Sequence, residues 1–478
     1  MGEEIKTWHF KEVDFQKFSE KLKEETSLVK RWFAEKSFSY EGPMVGFELE
    51  AWLVDKNFNP SPVNDTLIKS VRDPAMVHEL SRFNVELNSS PHRLRGQVFS
   101  QLRKELENLW QDCVNGAAKL SAEVIMIGIL PTLRSGDLNL KNMSPSQRYR
   151  ALNEQVLLQR GGKPLVLDIH GEDDLQMTHD NVMLEATATS LQIHVDLPPA
   201  RAHRYYNAAL ILSAPMVALA ANSPFLFGKR LWDETRVPVF EQAVSVNEFR
   251  DQEDYPVGRV TLGTGYVKES LWEMFQENLE RYPPLLPILY DEPAERLRHF
   301  NLHNGTIWRW NRPLIRLGDD GSRHLRLEHR VAAAGPSILD VIANIAFFTG
   351  ALRGYAHQRK SPESCISFSQ ARENFYQAAR EGFDAKIRWL DNRKICIRDL
   401  LLEELIPAAK EGLKALEVDG EEIAHYLQRI IRERVRSGQN GATWQRNFLR
   451  EHGGDFYALA KSYVHQQGEG GPVHEWSL

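Results

Sequence analysis

Four stretches of this chain alternate apolar and polar residues with a period of two, and their polar positions are nearly all oxygen or imidazole donors. In VGFELE (45–50), Phe47 and Leu49 oppose Glu48 and Glu50. In VELN (85–88), Val85 and Leu87 oppose Glu86 and Asn88. Around Leu191, the aliphatics Leu191, Ile193 and Val195 oppose Gln192 and His194. In the last stretch Leu325, Leu327 and Val331 oppose Arg326, Glu328 and Arg330. Residues i and i+2 of a strand share a face, so each stretch predicts a strand with one apolar and one polar side. A half-buried strand facing water alternates in the same way. Such a face usually mixes in lysine, serine and threonine. Here it is carboxylates, amides and an imidazole, with arginines confined to the last strand. Trp52, Phe83, Trp308 and Trp310 flank these stretches and suit an enclosed site.

If the four strands share a sheet, Glu48, Glu50, Glu86 and Glu328 converge. Like charges at close range cannot all stay ionised without compensation. A hard divalent cation supplies it, because Mg²⁺ takes oxygen ligands and keeps positions for water and phosphate. Gln192 and His194 can complete the shell, and Mn²⁺ would also tolerate the imidazole. Arg330 projects beside Glu328. A metal next to an arginine suits a transferring phosphoryl group, whose oxygens both neutralise. A glycine-rich phosphate loop is absent, and the lone Gly263-Thr264-Gly265 is a weak nucleotide signature.

The rest of the chain predicts an α+β fold with a largely antiparallel sheet, since strands and helices mix without a regular βαβ alternation. Helices are expected over 13–36, 96–121, 145–159, 200–221, 269–280 and 337–356. Strands are expected over 44–54, 83–88, 124–130, 187–197, 304–311 and 323–332. Residues 225–268 are loop-rich and are the natural lid. Beyond Ser361 strand patterns vanish, which suggests a core over 1–360 and a helical C-terminal portion over 361–478 packed on it. A net charge of −6 from 59 basic and 65 acidic residues argues against nucleic acid as a partner. The polar N-terminus lacks a signal-peptide core. The apolar stretch Tyr205 to Ala221 is short for a membrane span and reads as a buried helix. Cys113, Cys365 and Cys396 are far apart, odd in number and read as free thiols. A cytoplasmic protein with no membrane partner is expected.

At these residues the sequence resembles the glutamate–cysteine ligase family, in the branch with bacterial carboxylate–amine ligases and plant-type enzymes. The matching pieces are GFELE (46–50), VELN (85–88), ATSLQIHVD (188–196), ANSPFLFG (221–228), HNGTIWRWNR (303–312) and RLEHR (326–330), in the family's order. The resemblance implies a glutamine-synthetase-like fold: a curved antiparallel sheet with flanking helices whose polar face holds ATP and metals. By that resemblance Glu48, Glu50, Glu86, His194 and Glu328 match metal ligands. Arg330 matches the arginine near the γ-phosphate and, with Glu328, is the catalytic candidate. Gln192, His303 and Trp308 join Arg330 around the nucleotide. Asn222, Arg236, Arg309 and Arg312 are candidates for the anionic amino-acid substrate. Each has a plainer reading: Asn222 as a helix terminator, Trp308 as core packing, His303 as a satisfied structural histidine, Arg236 as a salt-bridged arginine.

The implied activity is ATP- and Mg²⁺-dependent joining of a carboxylate, such as glutamate, to an amine, such as cysteine, through an acyl phosphate. That is γ-glutamylcysteine formation in glutathione biosynthesis. Another amine acceptor remains open. So do a glutamine synthetase or phosphagen-type kinase on the same fold, a metal-dependent hydrolase and a non-catalytic metabolite sensor. Oligomeric state is not legible from the sequence.

Overall fold

The structure is a computed structural model that describes residue 5 and residues 8–246 and 248–478. Its centre is an eight-stranded sheet. The strands are β1 (Met44–Val54), β2 (Met76–His78), β3 (Asn84–Asn88), β4 (His92–Arg93), β5 (Glu123–Ile125), β6 (Leu191–Leu197), β7 (Asn311–Leu317) and β8 (Arg323–His329). The main path runs β7-β8-β6-β1-β3-β2, all antiparallel, and β4 and β5 add to β1. The four alternating stretches therefore lie side by side in the middle of one sheet.

Period-two alternation sorts the two faces. Phe47, Leu49, Leu87, Leu191, Ile193, Leu325 and Leu327 are almost fully buried. They pack under three helices: α2 (Val98–Lys119), α3 (Ala202–Leu219) and α4 (Ile338–Ala356). Helix α4 is long and apolar enough to cross a membrane, but 78% of its apolar window is buried inside the molecule, as befits a core helix. The helix Ile406–Lys414 crosses α4 at glycines. A Cβ on Gly350 would collide with Ala409 O and one on Gly412 with Gly350 O, so only glycine permits this approach. The C-terminal segment thus packs directly against the central helix rather than on the rim.

The N-terminal helix α1 (Glu12–Ala34) begins where Lys11 N donates to Asp14 Oδ2 at 2.8 Å. Glu12 and Asp14 in its first turn and Arg31 in its last suit the helix dipole. Its buried stripe of Phe18, Leu22, Val29 and Trp32 has helical spacing. Glu25 on that stripe pairs with His299 at 2.6 Å and accepts from Phe300 N at 2.7 Å. This contact fixes the start of the helix Arg298–Gly305, which forms one wall of the site described below.

Several expected elements differ. The strand expected over 304–311 is the end of the helix Arg298–Gly305 followed by a loop, and pairing with β8 starts only at Asn311. Pairing of the segment expected over 124–130 ends at Ile125. A hairpin, Leu165–His170 with Asp174–His179, went unanticipated because its outer face carries scattered polar residues of no fixed type. The loop-rich segment 225–268 contains a buried helix, Arg236–Ala243. A short strand pair, Lys386–Arg388 with Lys394–Cys396, interrupts the otherwise helical C-terminal region.

Candidate active site

Register places the polar side chains. Glu50 lies opposite Glu86, and Glu48 lies opposite Asn88 on one side and Gln192 on the other. His194 faces Glu328 across β6 and β8, and Glu328 faces Arg312 across β8 and β7. Two groups form whose ligand atoms all lie within 4.8 Å of one another: Glu48, His194 and Glu328, and Glu50, Glu79 and Glu86.

The first group is compensated by the protein. Arg312 grips Glu328 with two bonds, Nε to Oε2 at 2.7 Å and Nη2 to Oε1 at 2.9 Å. Arg330 Nη1 adds a third at 3.2 Å and also bonds the Gln192 side-chain oxygen. Burial pushes the Glu328 carboxyl up, but Arg312 and Arg330 outweigh it and hold the group well below the usual carboxylate range. Glu48 is likewise lowered: burial raises it, and His194 more than offsets that. His194 Nε2 lies 3.2 Å from Glu48 Oε1 and 3.9 Å from Glu328 Oε1. Neither ring nitrogen of this buried imidazole completes a hydrogen bond of good geometry.

In the second group carboxyls face carboxyls. Glu50 accepts from Ser190 N at 2.6 Å and from Gln192 Nε2 at 2.9 Å. Burial still raises it, against the pull of Arg330. Burial and the neighbouring Glu48 and Glu50 push Glu86 up to about 8. Burial, then Glu86 and Glu50, raise Glu79 well above its ordinary value. Crowded carboxyls and an imidazole short of partners are a donor set that fits hard divalent cations.

Both groups open on a cavity of about 590 Å³. Its acidic side is Glu48, Glu50, Glu79, Glu86 and Glu185, and its basic side includes Arg148, Arg312, Arg316, Arg326 and Arg330. Gln192 and Trp308 line it too. A chamber of about 20 Å³ adjoins, bounded by Glu50, Glu185, Arg236, Phe240, Trp310 and Arg330. Of the residues expected here, Glu48, Glu50, Glu86, Gln192, Trp308, Arg312 and Arg330 border the cavity and Arg236 borders the chamber, while His194 and Glu328 line neither and place their ligand atoms within 4.8 Å of Glu48.

Asn222, His303 and Arg309 lie outside both linings. Asn222 is fully buried and donates to Ala334 O at 2.7 Å and the Tyr463 hydroxyl at 2.9 Å, tying the C-terminal region to the core. His303 Nε2 sits 3.0 Å from Asn278 O, and burial lowers the ring to about 4. Arg309 is spent on Glu277 at 2.7 Å and Asn278 at 2.8 Å. The cause is local: Arg309 lies in a loop and lacks the facing that a strand over 304–311 would have given, and His303 belongs to the helix before it. Two residues went unanticipated. Glu79 follows a three-residue strand too short to show alternation. Glu185 sits in a 3₁₀ turn, Val182–Thr187, but it is the lone charged residue between Asn181 and Ile193, a signal the sequence does carry.

Comparison with known proteins gives this arrangement a class: a carboxylate–amine ligase of glutamine-synthetase-like fold. The chain belongs to glutamate–cysteine ligase family 2 (GCS2), whose family model matches residues 44–467. It is a ligase of the glutamate–cysteine ligase type. Among solved structures it resembles glutamate–cysteine ligase from Francisella tularensis, determined in complex with AMP: 13% identity, 90% of each chain covered and a TM-score of 0.57. A bifunctional glutathione synthetase from Pasteurella multocida aligns at 12% identity over 89% of this chain and 53% of the other, with a TM-score of 0.49. No curated protein matches the sequence.

Proposed function

We propose that the protein is an ATP- and Mg²⁺-dependent glutamate–cysteine ligase of the cytoplasm that forms γ-glutamylcysteine for glutathione biosynthesis. The observation that carries this reading is the pairing of two carboxyl groups suited to divalent cations with Arg330, on the polar face of one sheet. Glu48, His194 and Glu328 would hold one ion and Glu50, Glu79 and Glu86 another. When bound, Mg²⁺ screens the repulsion between nucleotide phosphates and an anionic donor. Three free cysteines fit a reducing compartment.

The chain's own residues then divide the work. Arg330, anchored by Glu328 and Gln192, places a fixed positive charge where the equatorial oxygens of the transferring phosphoryl group gain charge. The donor carboxylate attacks the γ-phosphorus of ATP, the bond to the bridging oxygen breaks, and ADP leaves with that electron pair. The remaining cavity arginines suit the anionic ends of both substrates. Arg236, paired with Glu234 at 2.8 Å, borders the adjoining chamber. The resulting acyl phosphate must be kept from water, and the aromatic walls of Trp308, Trp310 and Phe240 serve that end.

The test is ADP release with Mg·ATP and L-glutamate, with and without L-cysteine, then with other acids and amines. ADP only when both amino acids are present, with γ-glutamylcysteine by mass spectrometry, supports the reading. Turnover with another pair keeps the ligase class and removes the cysteine assignment. No ADP with any pair would sink the ATP-dependent reading.

A further inference from the structure

An amine acceptor reaches a neutral solution as an ammonium ion, yet only the free amine can attack an acyl phosphate. A ligase of the kind proposed above therefore needs a group that first welcomes a positive charge and then removes a proton. The cavity carboxylates are not equally available for this. Glu48 lies against His194, and Glu328 is held by Arg312 and Arg330. Glu50 accepts from Ser190 and Gln192, Glu86 from Asn88 at 2.9 Å, and Glu79 from Leu80 N at 3.1 Å. Glu185 belongs to neither metal-suited group, and the charges that act on its carboxyl are those of Glu50 and Arg330.

Its position is equally distinct. Glu185 borders both the main cavity and the chamber beside Arg330. At about 20 Å³ the chamber admits one water-sized group, such as an ammonium head, and excludes a phosphate. Of the two arginines at its edge, Arg236 is paired with Glu234, and Arg330 shares Glu328 with Arg312. Phe240 and Trp310 offer aromatic rings, whose faces attract a cation. What is left for an incoming ammonium is Glu185, whose carboxyl burial and Glu50 push up to about 8, so that its ionised form is an unusually strong base for a carboxylate.

We propose that Glu185 receives the ammonium group of the acceptor amine in this chamber and takes its proton. The reading rests on the ligase function proposed above. The free amine then attacks the acyl carbon. A carbon–nitrogen bond forms, the carbon–oxygen bond to phosphate breaks, and phosphate leaves with its electron pair. The nitrogen's second proton departs with the phosphate as hydrogen phosphate, and Glu185 returns its own to solvent. Facing Glu185 are Glu50 on β1, Glu79 after β2, Tyr149 on the helix Gln147–Gln159 and Arg330 after β8.

Hydroxylamine separates the two halves of the reaction, since it is uncharged at neutral pH and needs no base. Wild type and Glu185→Gln would be assayed for ADP release with Mg·ATP and L-glutamate, using hydroxylamine, then L-cysteine, L-alanine or ammonium. The proposal expects the variant to keep the hydroxylamine rate within about threefold and lose roughly 100-fold with an amine. The loss should shrink as pH rises and solution supplies more free amine. Equal loss with hydroxylamine and amine would overturn it and assign Glu185 to carboxylate activation. An unchanged amine rate would overturn it too, as would wild-type turnover of hydroxylamine and of none of the three amines. Wild type that releases no ADP under any condition instead refutes the ligase reading beneath it.

Discussion

The two groups on the polar face are both built on glutamates, the first with His194 added, and they sit side by side, yet they carry charge differently. Around Glu328 the fold supplies its own cations, Arg312 and Arg330, and burial fails to neutralise the carboxylate. Around Glu86 the nearest charges are other carboxyls, and burial wins: Glu50, Glu79 and Glu86 are all raised. Burial alone therefore does not set the state of a carboxylate in this cavity. Where the fold provides the countercharge, the anion is permanent. Where it does not, a proton or a cation from solution must fill the place.

The largest effect should come from removing the permanent anion. Glu328→Gln leaves Arg312 and Arg330 without their shared partner and takes away a ligand, so kcat should fall by roughly 10³-fold. Arg330→Ala should lose roughly 10²–10³-fold through the phosphoryl charge it faces. An Arg330→Ala enzyme with near-normal kcat and an unchanged melting temperature would remove that arginine from the chemistry.

Stability without metal should separate the two groups by sign. In EDTA at pH 7.5, Glu328→Gln should cost roughly 3 kcal/mol, because it breaks a buried ion pair and strands two arginines. Glu86→Gln should instead stabilise by about 1 kcal/mol, because it relieves carboxyl crowding. Adding Mg²⁺ should raise the melting temperature of the wild type and do less for either variant. Destabilisation of equal size in both variants would erase the distinction between the groups.

A smaller, sharper signature is proton release. With Glu86 raised to about 8, the second group carries protons at pH 7 in the absence of metal. A divalent cation must displace them, so Mg²⁺ binding at pH 7 should release about one proton, measured as the dependence of calorimetric heat on buffer ionisation enthalpy. The share released from Glu86 should fall toward zero as pH rises through 9, where that carboxyl is already ionised, and Mg²⁺ affinity should rise over the same interval. Flat heats across buffers would mean the group is ionised before metal arrives.

Much of this was legible in the sequence because period-two alternation is local. Once β1, β3, β6 and β8 were read as strands, their polar residues had to share a face, and the sheet order puts all four side by side. What was not legible depends on contacts made elsewhere. Glu79 lies beside a strand of three residues, and Glu185 sits in a 3₁₀ turn, where no period announces which way a side chain points. Arg309 is a candidate substrate grip by the family resemblance alone. Its partner Glu277 lies 32 positions upstream, on a helix whose docking no local pattern reveals. Arg312 was expected to hold substrate, and it holds Glu328, a pairing set by the β7–β8 register.

A third kind of carboxyl isolates what burial does by itself. Among the described residues Glu241 forms no ion pair, and burial with two hydrogen bonds sets its state. It accepts from Trp310 Nε1 at 2.9 Å and the Tyr376 hydroxyl at 3.0 Å. Burial raises it from an ordinary 4.5 to about 7, against those two bonds. The sign follows from the fold binding the proton more tightly than the unfolded chain does. Glu241 favours folding most fully below 4.5, and that contribution is lost as pH rises through 7. Glu241→Gln keeps an oxygen to accept both bonds and removes the ionisation. The variant should match wild type near pH 4.5, gain steadily to about pH 7, and hold a constant advantage of about 3 kcal/mol above it. Denaturant midpoints at three pH values would read this out. An advantage of the same size at every pH would mean that Glu241 stays neutral throughout and that its bonds, rather than its buried charge, decide its effect on stability.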